Sequence, residues 1–482
     1  MHVTITPAQM KALEADYMQR FSIPGALLME HAAQAVCAAM HRLCPGGRAV
    51  FLCGPGNNGG DGYAAARLWN AMGGHAAVME LTSRLSGDAA MNRTLALQQG
   101  IAVSPADDAL PECDLIVDAL FGTGLSRAPE GAAAKLIRLA NASGRPIVAV
   151  DIPSGLDGET GIAAGDVIRA RETVTFHRIK PGLLLRQGPA CVGTITVAPI
   201  LIPAGFGTQD GLRCLEAADL PRLLAPRPAD AHKGTFGRVV ILAGSQGMAG
   251  AAGFCAAASV KAGAGLTHIV CPRAVLPIVQ VLAPGATCTP LEEADLPALL
   301  SQADAAVVGC GLGQDPALLP ALDAFRRAGC PVVWDADALN LLSAHGELLP
   351  LPENAVITPH PGEAARLLNT SVSQVTADPL RALRDLQLAC GCHVLLKGAR
   401  SLMSDGVHTA ANLHGSPALA KGGSGDVLAG MLGALLARRL PCTALETVQL
   451  AAWLHGDAAL RAAEICGENC LTPTELISAI HF

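Results

Sequence analysis

The 482-residue chain is predicted to fold as α/β, in two domains, each a mainly parallel sheet covered by helices. Three observations predict it. Two series of short β-branched runs alternate with Ala- and Leu-rich stretches of helical length, the pattern of parallel sheets layered by helices. Several of those runs end directly in glycine-rich turns. Hydrophobic residues make up 51% of the chain, charged residues 16% and aromatics 3%, a balance of small aliphatics that suits a compact core and excludes a disordered chain.

The first series of strands is read at 49–53, 76–81, 115–117 and 147–150, with helices between them over 64–72 and 132–142. A second series lies at 239–242, 267–271, 305–308, 332–334, 355–357 and 394–396. Between the two stand the loop-like stretch 199–211 and the Pro-rich stretch 224–228, which place a domain boundary near residue 212. The halves show no internal similarity.

The net charge is −7 and no dense run of Lys or Arg occurs, which argues against a nucleic-acid or membrane-surface footprint and leaves room for small anionic ligands. Most of the sixteen cysteines sit in apolar runs, as do Cys53, Cys255, Cys271 and Cys310. Reduced, buried thiols are expected. The pairs Cys390/Cys392 and Cys466/Cys470 lack the CxxC spacing of zinc sites. The first residues carry no signal-peptide pattern, and the longest apolar stretch, 248–260, is broken by glycine and too short to cross a bilayer. A cytoplasmic location is expected.

In an open parallel sheet, ligands bind beyond the carboxyl ends of the strands. Three such ends in the first half are informative. The first is Gly54-Pro55-Gly56-Asn57-Asn58-Gly59-Gly60-Asp61-Gly62, whose backbone N–H groups and following helix can meet a phosphate. The second is Asp118-Ala119-Leu120-Phe121-Gly122-Thr123-Gly124-Leu125-Ser126-Arg127, and the third Asp151-Ile152-Pro153-Ser154-Gly155-Leu156-Asp157. Ordinary turns use the same residues, with Asp and Ser as caps and Gly at tight bends. A second alternative comes from spacing: Gly54, Gly56 and Gly59 satisfy GxGxxG, with Glu80 about twenty residues on, as in an NAD-dependent dehydrogenase. Against it, Asn57, Asn58 and Asp61 place side chains and a negative charge where a pyrophosphate favours neutral backbone donors.

Together with the entry segment 24–30, these three loops resemble the N-terminal domain of NAD(P)H-hydrate epimerases, and the resemblance covers residues 1–212. It implies that Asn57, Asn58, Gly59, Gly60 and Asp61, with Gly122, Thr123, Gly124, Leu125, Ser126, Arg127 and Ala128, bind the hydrated nicotinamide nucleotide. It further implies a potassium ion on Asn58, Asp118 and Ser154, oxygen-rich ligands that suit a hard cation. Asp151 matches the substrate-contacting acid of the family. A carboxylate at a partly desolvated strand end can act as general acid/base for inversion at the hydroxyl-bearing carbon.

The second half turns on Lys421-Gly422-Gly423-Ser424-Gly425-Asp426 before the apolar helix 427–436, an arrangement that offers N–H donors and a helix dipole to an anion. The plain alternative is a glycine turn in which Asp426 caps the helix. No GxxxxGK[ST] sequence occurs, so a P-loop is excluded. The segment resembles the anion hole of the ribokinase-like superfamily. The motifs HKGTFG at 232–237, GSQGMAGA at 244–251, GCGLG at 309–313, DADALN at 335–340, TPHPGE at 358–363 and KGARS at 397–401 extend the likeness to the ADP/ATP-dependent NAD(P)H-hydrate dehydratases over residues 213–482.

That likeness implies contacts of Ala251, Gly313 and His360 with the hydrated nucleotide. It assigns the adenine nucleotide to Lys397, Gly398, Ala399, Arg400, Ser401 and Gly425, with Lys397 neutralising phosphates, and makes Asp426 the base. The implied whole pairs a Rossmann-like epimerase with a ribokinase-like dehydratase that spends ADP or ATP, with Mg2+, on the S epimer, in a homo-oligomer. A vitamin-precursor kinase is the alternative for the second half. The chain departs from many relatives at Ser416, Leu419 and Lys421, where Asn, Met and Thr are common, and Lys421 is expected to add positive charge near the nucleotide.

Overall fold

The computed structural model describes residues 2–106, 109–125, 127–224 and 226–482, which separate into two compact units, His2–Gly211 and Leu212–Phe482. Among the described residues the main sheet of the first unit has seven strands, β1 (Arg48–Cys53), β2 (His75–Glu80), β3 (Ala102–Pro105), β4 (Leu115–Ala119), β5 (Ile147–Val150), β6 (Glu172–Phe176) and β7 (Thr194–Ala198). All pair in parallel, in the order β3-β2-β1-β4-β5-β6-β7. The chain runs outward from β1 to β3, then returns to lay β4 on the other side of β1. That reversal makes a crevice between the ends of β1 and β4.

Helices α1 (Pro7–Phe21), α2 (Gly25–Leu43), α3 (Asn57–Ala71), α4 (Gly87–Gln98) and α5 (Gly131–Ala142) cover the sheet. Alternation along β1 assigns the faces: Ala49, Phe51 and Cys53 pack with residues of α1, α2 and α3, whereas Val50 and Leu52 pack with Leu136, Ile137 and Ala140 of α5. The sequence reading omitted β3, β6 and β7. β6 reads Glu-Thr-Val-Thr-Phe, and its polar side chains are buried because each has a partner: Thr173 Oγ1 donates to the Val192 carbonyl at 2.7 Å and Thr196 Oγ1 to Glu172 at 2.7 Å.

Helix α3 starts seven residues earlier than the sequence reading placed it. The cause is close packing at glycines. A Cβ on Gly54 would lie 1.7 Å from the Leu120 carbonyl oxygen, one on Gly59 2.0 Å from the Gly54 oxygen, and one on Gly62 2.6 Å from Ala119 Cβ. Without side chains there, the first turn of α3 sits directly on the ends of β1 and β4.

The second unit contributes ten strands among the described residues: β8 (Arg213–Cys214), β9 (Arg238–Leu242), β10 (Leu266–Cys271), β11 (Thr287–Pro290), β12 (Ala305–Val308), β13 (Val332–Trp334), β14 (Val356–Ile357), β15 (His393–Leu396), β16 (Leu402–Ser404) and β17 (Thr409–Ala411). Their order is β8-β17-β16-β15-β14-β13-β12-β9-β10-β11, antiparallel only at β15/β16 and β16/β17. All six strands of the second predicted series are present. Five of them, β9, β12, β13, β14 and β15, run side by side and in parallel, so the loops that follow them share one sheet edge.

The helices that matter for that edge are α6 (Ala249–Lys261), α7 (Asp337–Ala344), α8 (Pro361–Leu367), α9 (Ser424–Ala437) and α10 (Ala444–Cys466). Small residues bring α9 close to its neighbours. A Cβ on Gly430 would lie 2.0 Å from the Cys255 oxygen of α6, and one on Gly433 2.4 Å from Val307 of β12. All sixteen cysteines are free, and only Cys470 is exposed.

Candidate functional sites

At the crevice of the first unit, Asp118 is the last side chain but one of β4 and is fully buried. Ser154 donates to it twice, from its backbone N–H at 2.7 Å and from its hydroxyl at 2.6 Å, and the Leu120 N–H adds a third bond at 3.3 Å. Burial pushes its pKa up to about 6, against those bonds. Among the described residues no cationic side chain touches this desolvated carboxylate, which makes it a place for a cation. Asn58 faces the same place: a Cβ on Gly122 would be 2.9 Å from its amide oxygen, and its buried amide nitrogen has no partner among the described residues. Asn58, Asp118 and Ser154 are thus brought together, and their oxygens fit a hard cation.

Of the stretch 57–61, Asn57, Asn58 and Asp61 present side chains, while Gly59 and Gly60 are buried against other parts of the unit. In the second loop Gly122 is buried, Thr123, Gly124 and Arg127 are exposed, Leu125 and Ala128 are half-buried, and Ser126 lies outside the described residues. Asp151 follows β5 with φ at +65°, a left-handed conformation that costs a non-glycine residue roughly 1–3 kcal/mol and that often marks a site. Its Oδ1 accepts from Thr175 Oγ1 at 3.0 Å, from the Phe176 N–H at 3.2 Å and from Lys180 Nζ.

Sequence reasoning missed Lys180 and Glu14. Lys180 is a lone lysine outside any glycine turn or charge run, and Glu14 lies on α1, far from the three loops in sequence. Only the fold brings them near Asp151. The carboxylate of Glu80, the ribose ligand in the dehydrogenase alternative, is already taken by Arg93 at 2.7 and 2.8 Å and by the Tyr63 hydroxyl. That alternative loses its ligand.

In the second unit Asp426 lies in the first turn of α9. Its carboxylate and the side chains of Cys310 and Asp335 offer ligand atoms all within 4.8 Å of one another. Burial, aided by the charge of Asp335, lifts the Asp426 pKa to about 6. Asp335 directly follows β13, accepts from Thr358 Oγ1 at 2.7 Å and pairs with Lys397 Nζ at 2.7 Å. Glu363 lies 3.9 Å from the same ammonium, with its pKa pushed up to about 7 by burial. A Cβ on Gly425 would stand 3.4 Å from Lys397 Nζ.

Lys397 is therefore committed to two buried carboxyls rather than free for phosphates. Arg400 likewise turns its guanidinium to the Leu413 carbonyl, which leaves the backbone of 397–401 as what that turn offers. Lys421 Nζ donates to the Asn469 carbonyl at 2.9 Å, so part of its charge is spent there.

Facing Asp426 across the strand ends, Gly313 has φ at +83° and donates its N–H to Asp337 at 2.9 Å. Ala251 is buried against Gly311, whose Cβ would be 2.8 Å from it. Between Asp335 and Asp337, Ala336 is held at φ +52°, and the flanking carboxylates part, one to Lys397 and one to Gly313. His360 caps α8: its Nδ1 accepts from the Gly362 N–H at 2.9 Å, which leaves the proton on Nε2. Burial, then Lys397, lowers its pKa, so it is neutral and half-exposed at the site.

A family model described as NAD(P)H-hydrate dehydratase matches residues 239–481, and one described as YjeF-related protein N-terminus matches residues 25–182. The bifunctional NAD(P)H-hydrate repair enzyme of Escherichia coli K12 is 38% identical over 436 residues, covering 89% of this chain and 84% of that protein. Its counterpart from Moorella thermoacetica is 35% identical over 511 residues, covering 99% and 96%. Among solved structures, a ribokinase-like superfamily protein from Enterococcus faecalis superposes with a TM-score of 0.52 at 29% identity, over 56% of this chain and 94% of that one. An ADP/ATP-dependent NAD(P)H-hydrate dehydratase from Bacillus subtilis, co-crystallised with ATP and Mg2+, gives a TM-score of 0.50 at 28% identity, over 55% and 94%.

Proposed function

The chain belongs to the family of bifunctional NAD(P)H-hydrate repair enzymes, and on that premise we propose how its two strand-end sites divide the work. It epimerises hydrated NADH and NADPH and dehydrates them back to the reduced cofactor with an adenine nucleotide as co-substrate. We assign epimerisation to residues 1–212 and dehydration of the S epimer to residues 213–482.

The observation that carries the dehydratase half is Asp426 in the first turn of α9, with its pKa at about 6. At neutral pH it is ionised and can take the proton of the ring hydroxyl as that oxygen attacks the terminal phosphoryl group of ADP or ATP. The first-turn N–H groups of α9 meet the transferring phosphoryl group. Water is a poor leaving group and phosphate a good one. That transfer releases AMP or ADP; phosphate then leaves with the electron pair of its carbon–oxygen bond, the neighbouring carbon gives its proton to water, and the C–H electron pair becomes the returning ring double bond. Neutral His360, Ala251 and Gly313 line the place of the hydrated ring, and the backbone of 397–401 with Gly425 holds the nucleotide.

Mg2+ is assigned to the nucleotide phosphates. Cys310 is no ligand for it and Asp335 is occupied by Lys397, whereas Mg2+ is commonly held through substrate phosphates. In the first half, Asn58, Asp118 and Ser154 would hold K+, which supplies fixed positive charge beside an anionic substrate. Asp151 is assigned proton transfer at the hydroxyl-bearing carbon. Cytoplasmic location and assembly into a homo-oligomer are part of the same proposal; among the described residues no helix is long and apolar enough to cross a membrane.

The deciding experiment supplies hydrated NADH with ADP or with ATP and follows the return of reduced-nicotinamide absorbance. Absorbance should return to completion from a mixture of epimers, since the epimerase feeds the dehydratase. No return with either nucleotide overturns the dehydratase assignment, and a return that stops once one epimer is consumed overturns the epimerase assignment.

A further inference from the structure

Four titratable side chains from four separate segments converge at the strand ends of the first unit: Glu14 of α1, Asp61 of α3, Asp151 after β5 and Lys180 after β6. Lys180 is fully buried and donates to Asp151 Oδ1, to Thr175 Oγ1 at 3.1 Å and to the Phe176 carbonyl at 3.0 Å. With Thr175 and the Phe176 N–H also donating to Oδ1, one oxygen of Asp151 carries three donors. Among the described residues Oδ2 accepts no hydrogen bond. The carboxylate is fixed in rotation with a single free acceptor.

Asp61 is the opposite case. It lies in the part of α3 that begins on the ends of β1 and β4, and its carboxyl has no hydrogen bond among the described residues. Burial, then the charges of Asp151 and Glu14, push its pKa well above the ordinary range, opposed only by Lys180. A carboxylate held by three donors on one oxygen and a carboxyl buried without a hydrogen-bond partner are suited to opposite roles in proton transfer.

Resting on the epimerase reading above, we propose that Asp61 is the general acid of this site and Asp151 its general base, with Lys180 a positioning residue that selects the working oxygen of Asp151. Hydration of the ring enamine puts the hydroxyl on the carbon beside the ring nitrogen. Asp151 Oδ2 takes the hydroxyl proton, the O–H electron pair becomes the second bond of a carbonyl, and the carbon–nitrogen bond breaks. Its electron pair goes to the nitrogen, which receives the proton of Asp61. Rotation about the adjacent carbon–carbon bond turns the other face of the aldehyde to the nitrogen. Closure reverses both transfers: nitrogen returns its proton to Asp61, and the new alkoxide takes one from Asp151. No oxidant or further reactant enters.

The test gives the full-length protein one epimer without adenine nucleotide, so that dehydration is silent, and follows the other epimer by chromatography as a function of pH. The wild type should lose kcat/KM on the basic side, where Asp61 loses its proton. Asp61→Asn should lower kcat by about 10²- to 10⁴-fold, with KM little changed and the basic limb gone. Lys180→Met should lower kcat and Lys180→Arg restore most of it. Glu14→Gln should keep the activity but move the basic limb to lower pH, because it removes a negative charge that raises Asp61.

An Asp61→Asn enzyme within about tenfold of wild-type kcat, or one that keeps the basic limb, overturns the assignment. A wild-type profile with no basic limb overturns it without any variant. A wild-type protein that interconverts no epimers at any pH overturns the epimerase reading itself.

Discussion

Asp426 and Asp335 lie beside the same lysine, yet only Asp335 is bonded to it, and that difference supports the proposed role of Asp426 as the base. Asp426→Asn should therefore cut dehydration by about 10²- to 10⁴-fold while epimerisation stays at the wild-type rate, both read in one preparation. The base must be ionised to work, and the Asp426 pKa stands at about 6. Dehydration should rise with pH through that value and level off above it, in a kcat/KM profile taken at saturating ADP. The position of Asp426 was legible because glycines before an apolar helix announce an anion site. The commitment of Lys397 was not, since Asp335 lies 62 positions away in sequence and nothing local joins them.

At the scale of elements, glycines decide where helices begin and how closely they pack. Gly54→Ala would drive a Cβ to 1.7 Å from the Leu120 oxygen, and Gly430→Ala would bring one to 2.0 Å from the Cys255 oxygen. Backbone must move in both, so each should lower the urea midpoint of its own unit, at a cost of roughly 1–3 kcal/mol or more. The apolar strands were legible from their β-branched runs. The strand Glu172–Phe176 was not, because its buried threonines and glutamate look like surface until their partners are known. The start of α3 was likewise obscured: a glycine-rich stretch reads as a turn, and only contact with β1 and β4 shows that it is helix.

For the whole molecule, two buried histidines contribute to the acid response, His177 in the first unit and His455 in the second. Burial lowers each pKa to about 4. An unfolded histidine takes a proton below about 6.5 and these folded ones only below about 4, so the unfolded chain gains protons as pH falls across that window. Each histidine withdraws up to about 1.4 kcal/mol of stability per pH unit there, opposed by the buried carboxyls Asp118 and Asp426, whose raised pKa values of about 6 let the folded chain take protons in the same window. His455→Gln and His177→Gln should each raise the urea midpoint of their own unit at pH 5 relative to pH 7, compared with the wild type. Potassium should act on the first unit alone, raising its melting temperature where lithium does not, with Asp118→Asn abolishing the effect. By itself the sequence determined the α/β class, the two series of strands and the glycine stretches at their ends, because strand periodicity and turn chemistry are local, and its resemblance to known families pointed to the two reactions. Only the tertiary structure decided which carboxylates are paired, which are left to work and which lysines are already spent, because burial and charge at Asp61, Asp151, Lys180, Asp335 and Lys397 arise from residues that meet across a sheet edge.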